Sequence, residues 1–121
     1  MFGWNELNTS DPAAAKRFLE QVAGWSISEM PGSGGRYWIA SDGTRPVAGI
    51  FDLAAHGRTG VPDHWIGYVS VEDVYARFAA ATAAGATAVR EPFDIEGVAR
   101  IAIVHMPGGA ILGLMTPVAG T

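Results

Sequence analysis

The sequence predicts an α+β protein built from two βαβββ modules. Three observations predict it. The order strand, helix, three strands can be read along the chain twice. The two halves also share local wording, with Trp4, Asp11-Pro12, Phe18 and Gly24 set against Trp65, Asp73, Phe78 and Gly85. Finally, 121 residues suffice for one ordinary domain with a real core but not for two independent ones. A repeat of roughly 60 residues is too long for a solenoid unit, so two copies of one supersecondary module closing on each other are expected. The expected layout is a single domain over residues 1–121, with modules at about 1–55 and 62–118 and a connector at about 54–63.

The first strand is expected at Phe2 to Thr9. Ser10-Asp11-Pro12 then supplies an N-cap and a proline at the first helical position, which predicts a helix from Pro12 to Ala23 closed by Gly24 in a left-handed conformation. Helical spacing puts Ala14, Ala15, Phe18, Leu19 and Val22 on its inner face, with Lys16, Arg17, Glu20 and Gln21 turned away. Strands follow at Trp25 to Met30, Arg36 to Ala40 and Pro46 to Leu53, separated by the turn chemistries PGSGG and SDGT. After the polar connector the order restarts with a strand at His64 to Val71. A helix opening at Glu72-Asp73 carries Val74, Phe78 and Ala81 inward and closes at Gly85. Strands at Thr87 to Phe93, Val98 to His105 and Ala110 to Pro117 complete the second module, the last two joined by the tight turn Pro107-Gly108-Gly109.

Composition narrows the function classes. Hydrophobic residues make up 49% and charged residues 17%, and no stretch approaches the roughly 20 apolar residues of a membrane helix, so no membrane partner is expected. The opening MFGWNELNT lacks the basic start and small-residue cleavage site of a secretory signal, which predicts a cytoplasmic protein. There is no cysteine, so disulfides, thiolate nucleophiles and cysteine-built zinc sites are excluded. A net charge of -4 with the basic residues scattered offers no footprint for nucleic acid.

The segments WNELNTSDPAAAKRFLEQVAGW and WIGYVSVEDVYARF, followed by DIEGVARIAIVHMPGGAILGLMTP, resemble the vicinal oxygen chelate superfamily of glyoxalases, bleomycin resistance proteins and extradiol dioxygenases. The last of them resembles its glyoxalase-like subgroup. The resemblance covers nearly the whole chain. It implies curved sheets around a cleft with the helices outside. Function does not follow from the fold, because the family hosts several chemistries as well as drug-sequestering proteins. In its metal-bearing members, the resemblance implies, ligands come from the first and last strands of each module. Here those positions fall on Trp4, near Gly49, on Ile66 and on Gly113, none of which can donate to a cation through its side chain. The expectation is therefore no metal and no cofactor. His64 lies two residues before the aligned position, and His64 with Glu6 is the best surviving ligand pair. Two ligands fall short of the three that a catalytic metal site normally keeps.

Strand alternation turns this alignment into a pocket lining. Facing with Trp4 come Phe2, Glu6 and Asn8; with Ile66 come His64 and Tyr68; with Gly113 come Ile111 and Met115; and Tyr37, Ile39, Gly49 and Phe51 are candidates from the first module. Such a lining, aromatic and aliphatic with a few polar handles, suits a small organic molecule, and the glycines at former ligand positions are expected to leave volume. The ligand-binding set is thus Trp4, Glu6, Asn8, Tyr37, Gly49, Phe51, His64, Ile66, Tyr68, Ile111, Gly113 and Met115. For Trp25, Trp38 and Trp65 plain packing is favoured, and for Trp4 packing and ligand contact are balanced.

The leading reading is a metal-free small-molecule-binding protein of the glyoxalase/bleomycin-resistance type, holding a hydrophobic or aromatic ligand in the inter-module cleft. The alternative is a lyase, isomerase or dioxygenase-type enzyme, metal-dependent or using Glu6 with Tyr68 or His64 as acid and base. A third is an interaction module whose cleft is vestigial. Family relatives of this size imply a homodimer, and four tryptophans in so small a chain agree with an apolar interface.

Overall fold

The computed structural model describes residues 1–58, 60–95 and 98–117. Its elements run β1 (Phe2–Thr9), α1 (Pro12–Val22), β2 (Ser26–Glu29), β3 (Tyr37–Asp42), β4 (Arg45–Asp52), a 3-10 turn (Ala54–His56), β5 (His64–Ser70), α2 (Val74–Ala83), β6 (Thr87–Ile95), β7 (Ala99–His105) and β8 (Ile111–Pro117). This is βαβββ written twice, an α+β fold. Thr59 of the connector, Glu96 and Gly97 before β7, and the end of the second module at 118 lie outside the described residues.

The chain divides into two compact units, Trp4–Trp65 and a second formed by Met1–Gly3 with the residues from Ile66 onward. In the first unit the strands are ordered β2-β3-β4-β1. β1 runs parallel to β4, with Glu6 opposite Gly49 and Asn8 opposite Phe51. β3 runs antiparallel to β4, with Ile39 opposite Gly49 and Tyr37 opposite Phe51. Alternation sends the neighbours of these residues to the other face, where Leu19 of α1 packs with Ile27, Ala40, Ala48 and Ile50, and Leu7, Trp25 and Trp38 close around them; Val47 reaches the same cluster beside the register shift at Ala40 and Ser41.

α1 begins where its chemistry dictates. Asp11 caps it by accepting from the Ala14 N–H at 3.1 Å, Pro12 occupies the first turn, and Gly24 leaves it at φ +71°. Its inner face is narrower than the spacing predicts. Leu19 is buried, but Phe18 is 61% and Val22 67% exposed. Ala14 and Ala15 are half-buried beside Leu19, so the helix rolls its small residues toward the sheet and leaves the larger pair outside.

In the second unit the order is β5-β8-β7-β6. β5 runs parallel to β8 with Tyr68 opposite Gly113, and β7 pairs antiparallel with β8 through Ile103 opposite Gly113 and Ala102 opposite Leu114. Asp73 caps α2 as Asp11 caps α1, accepting from Ala76 N–H at 3.2 Å. Val74 is buried while Phe78 and Ala81 are half-buried, as their spacing predicts. The β7–β8 turn closes through the Met106 N–H on the Ala110 carbonyl at 2.7 Å, with Gly108 and Gly109 at φ +95° and +97°.

The contrast on α1 is testable by chemical denaturation. Leu19→Ala should cost about 2–3 kcal/mol through the cavity it leaves. Phe18→Ala should stay within about 0.5 kcal/mol at protein concentrations where the chain is monomeric. Equal losses would mean that α1 buries the wider stripe after all.

Candidate functional site

One face of the first sheet gathers most of the polar groups that the sequence singles out. β1 carries Trp4, Glu6 and Asn8, which project together because each is two residues from the next. β4 and β3 place Gly49 and Ile39 level with Glu6, and Phe51 and Tyr37 level with Asn8. The Trp4 indole Nε1 donates to Tyr37 Oη at 3.1 Å, and Tyr37 Oη donates to Glu6 Oε2 at 3.0 Å. Asn8 Nδ2 donates to Glu6 Oε1 at 3.3 Å. The result is a chain of hydrogen bonds, Trp4 to Tyr37 to Glu6, closed on its far side by Asn8.

Glu6 is 8% and Asn8 5% exposed, so the carboxylate is largely withdrawn from water. An ionised carboxyl placed on an apolar face is costly unless donors meet its oxygens, and the side chains of Tyr37 and Asn8 do so. Tyr37 is the partner that alternation along a single strand cannot reveal, because it comes from β3, two strands away from β1 across β4.

His64 and Asp63 belong to the same unit. His64 Nδ1 lies 2.8 Å from the Pro62 carbonyl. A carbonyl only accepts, so Nδ1 is the donor in this contact. Asp63 clips the connector to the end of β1: its carboxylate accepts from Thr9 Oγ1 at 2.5 Å, from the Ser10 N–H at 3.1 Å and from Ser10 Oγ at 3.3 Å. Thr9 Oγ1 in turn accepts from the Asp11 N–H at 3.0 Å. These donors, the Thr9 hydroxyl first among them, hold the Asp63 carboxyl below the usual carboxylate range.

A shallow groove of about 340 Å³ opens at the start of α1, bounded by Ser10, Asp11, Pro12, Ala13, Lys16, Trp38 and Asp52. It adjoins Trp38, which projects from the sheet face opposite Tyr37, so it is separate from the Glu6 network.

The second unit holds Ile66, Tyr68, Ile111, Gly113 and Met115. Ile66 and Tyr68 are buried, at 3% and 2% exposure, and Tyr68 lies level with Gly113. The expected free volume at the two glycines is not there. A Cβ built on Gly49 would stand 1.8 Å from Tyr37 Oη, and one built on Gly113 would stand 2.2 Å from Tyr68 Cδ1. Tyrosine rings fill both places.

The metal implied by the resemblance does not fit these residues. Trp4, Gly49, Ile66 and Gly113 bring no oxygen or imidazole donor, and two of the four positions are covered by phenol rings. Among the described residues no three His, Asp or Glu side chains gather as a ligand set.

Comparison with known proteins decides the family. Residues 2–112 match the Glyoxalase/Bleomycin resistance protein/Dioxygenase superfamily. The chain belongs to that superfamily. CFP32 of Mycobacterium bovis, whose name gives it as an unproven glyoxylase, is 38% identical to this superfamily member over 115 residues, covering 94% of this chain and 43% of its own. The anthracycline biosynthesis protein DnrV of Streptomyces peucetius is 29% identical over 120 residues, covering 88% of this chain and 43% of its own. The chain therefore spans less than half the length of the curated relatives it matches. Among solved structures, hypothetical protein BH1468 from Bacillus halodurans C-125 superposes with a TM-score of 0.65 at 13% identity, covering 100% of this chain and 96% of that one, a likeness of fold.

The Asp63 clip makes the base of β1 acid-sensitive. Because the folded carboxyl is held below its usual value, its contribution is present above the unfolded value near pH 4 and is lost as the pH falls through that value and the folded one. Asp63→Ala should cost about 1 kcal/mol in urea unfolding at neutral pH, the exposed setting keeping it small. The difference from the parent should shrink as the pH falls below the unfolded value and through the lower folded one, where the parent's carboxylate is protonated. A difference independent of pH would show that the clip does not act through the ionised group.

Proposed function

We propose that this superfamily member binds a small hydrophobic or aromatic molecule without a metal, and that its first-module sheet face of Trp4, Tyr37 and Phe51 forms the apolar floor, with Glu6 and Asn8 as the polar handle. The observation that carries this reading is the hydrogen-bonded chain from Trp4 through Tyr37 to Glu6, set where a chelating site would need side-chain donors. A floor of aromatic faces attracts planar ligands, and a carboxylate held by fixed donors favours a ligand bearing a cationic or hydrogen-bond-donating group. The likeness to an anthracycline biosynthesis protein agrees with an aromatic ligand class.

Two measurements test this. Purified protein exposed to nickel, zinc, manganese and ferrous iron, then freed of excess, should carry sub-stoichiometric metal by mass spectrometry. Near-stoichiometric metal removed by His64→Ala would move the reading to a metal-dependent enzyme. Planar aromatic compounds should quench tryptophan fluorescence saturably, with Trp4→Phe removing most of the quenching. Quenching that survives in full would place the ligand elsewhere.

An acid/base enzyme is the second reading, favoured by the 3.0 Å contact of Tyr37 Oη with Glu6 and by the name of the mycobacterial relative. Here Glu6 would be the base and its partner acid Tyr68 or His64, with Tyr37 a further hydroxyl already in contact with the carboxylate. Glu6→Gln separates the two. A binder should lose about tenfold in affinity, roughly 1.4 kcal/mol. An enzyme should instead lose about a hundredfold or more in turnover with binding largely kept.

Homodimerisation belongs to the same proposal, supported by Phe18 and Val22 standing exposed on α1. Light scattering should give twice the chain mass, and a monomer mass would reject it.

A further inference from the structure

Gly49 and Gly113 need an explanation that backbone conformation does not supply. Neither has a positive φ, and both are buried within strands, where a glycine normally weakens pairing and packs nothing. Their neighbours supply the reason. A Cβ on Gly49 would meet Tyr37 Oη at 1.8 Å, Cζ at 2.4 Å and Cε1 at 2.9 Å. On Gly113 it would meet Tyr68 Cδ1 at 2.2 Å, Cε1 at 2.5 Å and Cγ at 2.7 Å. Contacts this short cannot be relieved by tenths of an ångström, so any side chain at either position must expel the ring. The device occurs in both modules, each time on the last strand and each time beneath a tyrosine from an adjacent strand, β3 beside β4 and β5 beside β8.

We infer that Gly49 is a specificity-determining position, a seat that allows Tyr37 to lie flat across β4 and hold the Glu6 carboxylate as the ligand handle. The inference rests on the binding function proposed above for the Glu6 face. Its physical content is exclusion in space. Tyr37 reaches Glu6 from β3 only by crossing β4 at the level of residue 49, since Ile39, Gly49 and Glu6 lie abreast. The same crossing puts its hydroxyl 3.1 Å from Trp4 Nε1, so one ring position orders both the indole and the carboxylate. A donor side chain at residue 49 and a phenol on Glu6 cannot coexist. This chain has the phenol, and with it a site shaped for an organic ligand rather than for a cation. Gly49 acts through Tyr37 and is therefore a positioning residue.

A mutant cycle tests the seat, with proflavine, a planar aromatic cation, as the binding probe at about 0.15 M salt to screen nonspecific attraction to the acidic protein. The variants are Gly49→Ala, Tyr37→Ala, their combination, and Tyr37→Phe. Gly49→Ala should lower the melting temperature and change the near-ultraviolet circular dichroism of Trp4, a change absent in a Trp4→Phe background. In the Tyr37→Ala background the same glycine substitution should have no further destabilising effect. If Gly49→Ala alone fails to fold, recovery of folding in the combined variant supports the seat equally. Proflavine binding, read by fluorescence anisotropy, should weaken about tenfold in both Gly49→Ala and the combined variant, so that stability is rescued and affinity is not. Tyr37→Phe keeps the ring seated but takes one donor from Glu6, so it should lower the melting temperature and lose affinity with the hydroxyl, while Gly49→Ala added to it should still destabilise further.

Gly49→Ala with unchanged spectrum and stability, or with a cost that persists undiminished when Tyr37 is alanine, would overturn the inference. Loss of the stability coupling is read without any ligand. Failure of proflavine to bind the parent protein while the coupling holds would reject the binding function and leave the seat standing.

Discussion

A carboxylate kept from water on an apolar sheet face must find donors among its neighbours, and the first module is arranged around where Glu6 finds them. Asn8 comes from the same strand and the same face, two residues on. Tyr37 comes from β3 and has to cross β4 to arrive. That crossing is open because residue 49 has no side chain. The Trp4 indole then donates to the phenol oxygen, so the four side chains form one connected network. Networks of this kind are held by geometry, because the placement of each member depends on the next.

The supports of this face lie behind it and at its ends. Leu19, Ile27, Ala40, Ala48 and Ile50 bury the reverse side of the same strands, which fixes their register and hence which residues project toward Glu6. At the end of β1, Asp63 ties the connector to Thr9 and Ser10, while Asp11 turns the chain into α1. The polar face is therefore carried on strands whose other face is core, a rigid platform rather than a loop. Such placement suits a site in which an angstrom of misplacement would separate the hydrogen-bonding partners.

The second module repeats the plan with different contents. Asp73 caps its helix as Asp11 does, and Tyr68 covers Gly113 as Tyr37 covers Gly49. The duplicated features are those that set backbone geometry and close approach, while the hydrogen bonds among Trp4, Tyr37, Glu6 and Asn8 lie within the first module. Superfamily membership accounts for the shared scaffold. The side chains that face away from the helices decide what each copy of the scaffold can hold.

Much of this was legible along the chain. The paired strand and helix signals, the two aspartate caps, the glycines that end the helices and the turn at Pro107 depend on nearest neighbours in sequence, and the elements appear within a residue or two of the expected bounds. Alternation likewise placed Trp4, Glu6 and Asn8 on one face, because a two-residue period needs no knowledge of what lies opposite. Three features could not be read this way. Phe18 and Val22 share helical spacing with Leu19, yet how far α1 rolls on its sheet depends on side-chain volumes in other strands. Gly49 and Gly113 read as vacant space, since a sequence does not show which neighbouring ring enters it. The pairing of Tyr37 with Glu6 spans 31 positions and two strand contacts. Local chemistry and periodicity thus determined the elements and the direction of the side chains. Only the tertiary structure decided which of those side chains meet, because register across neighbouring strands is set by the packing of the whole module.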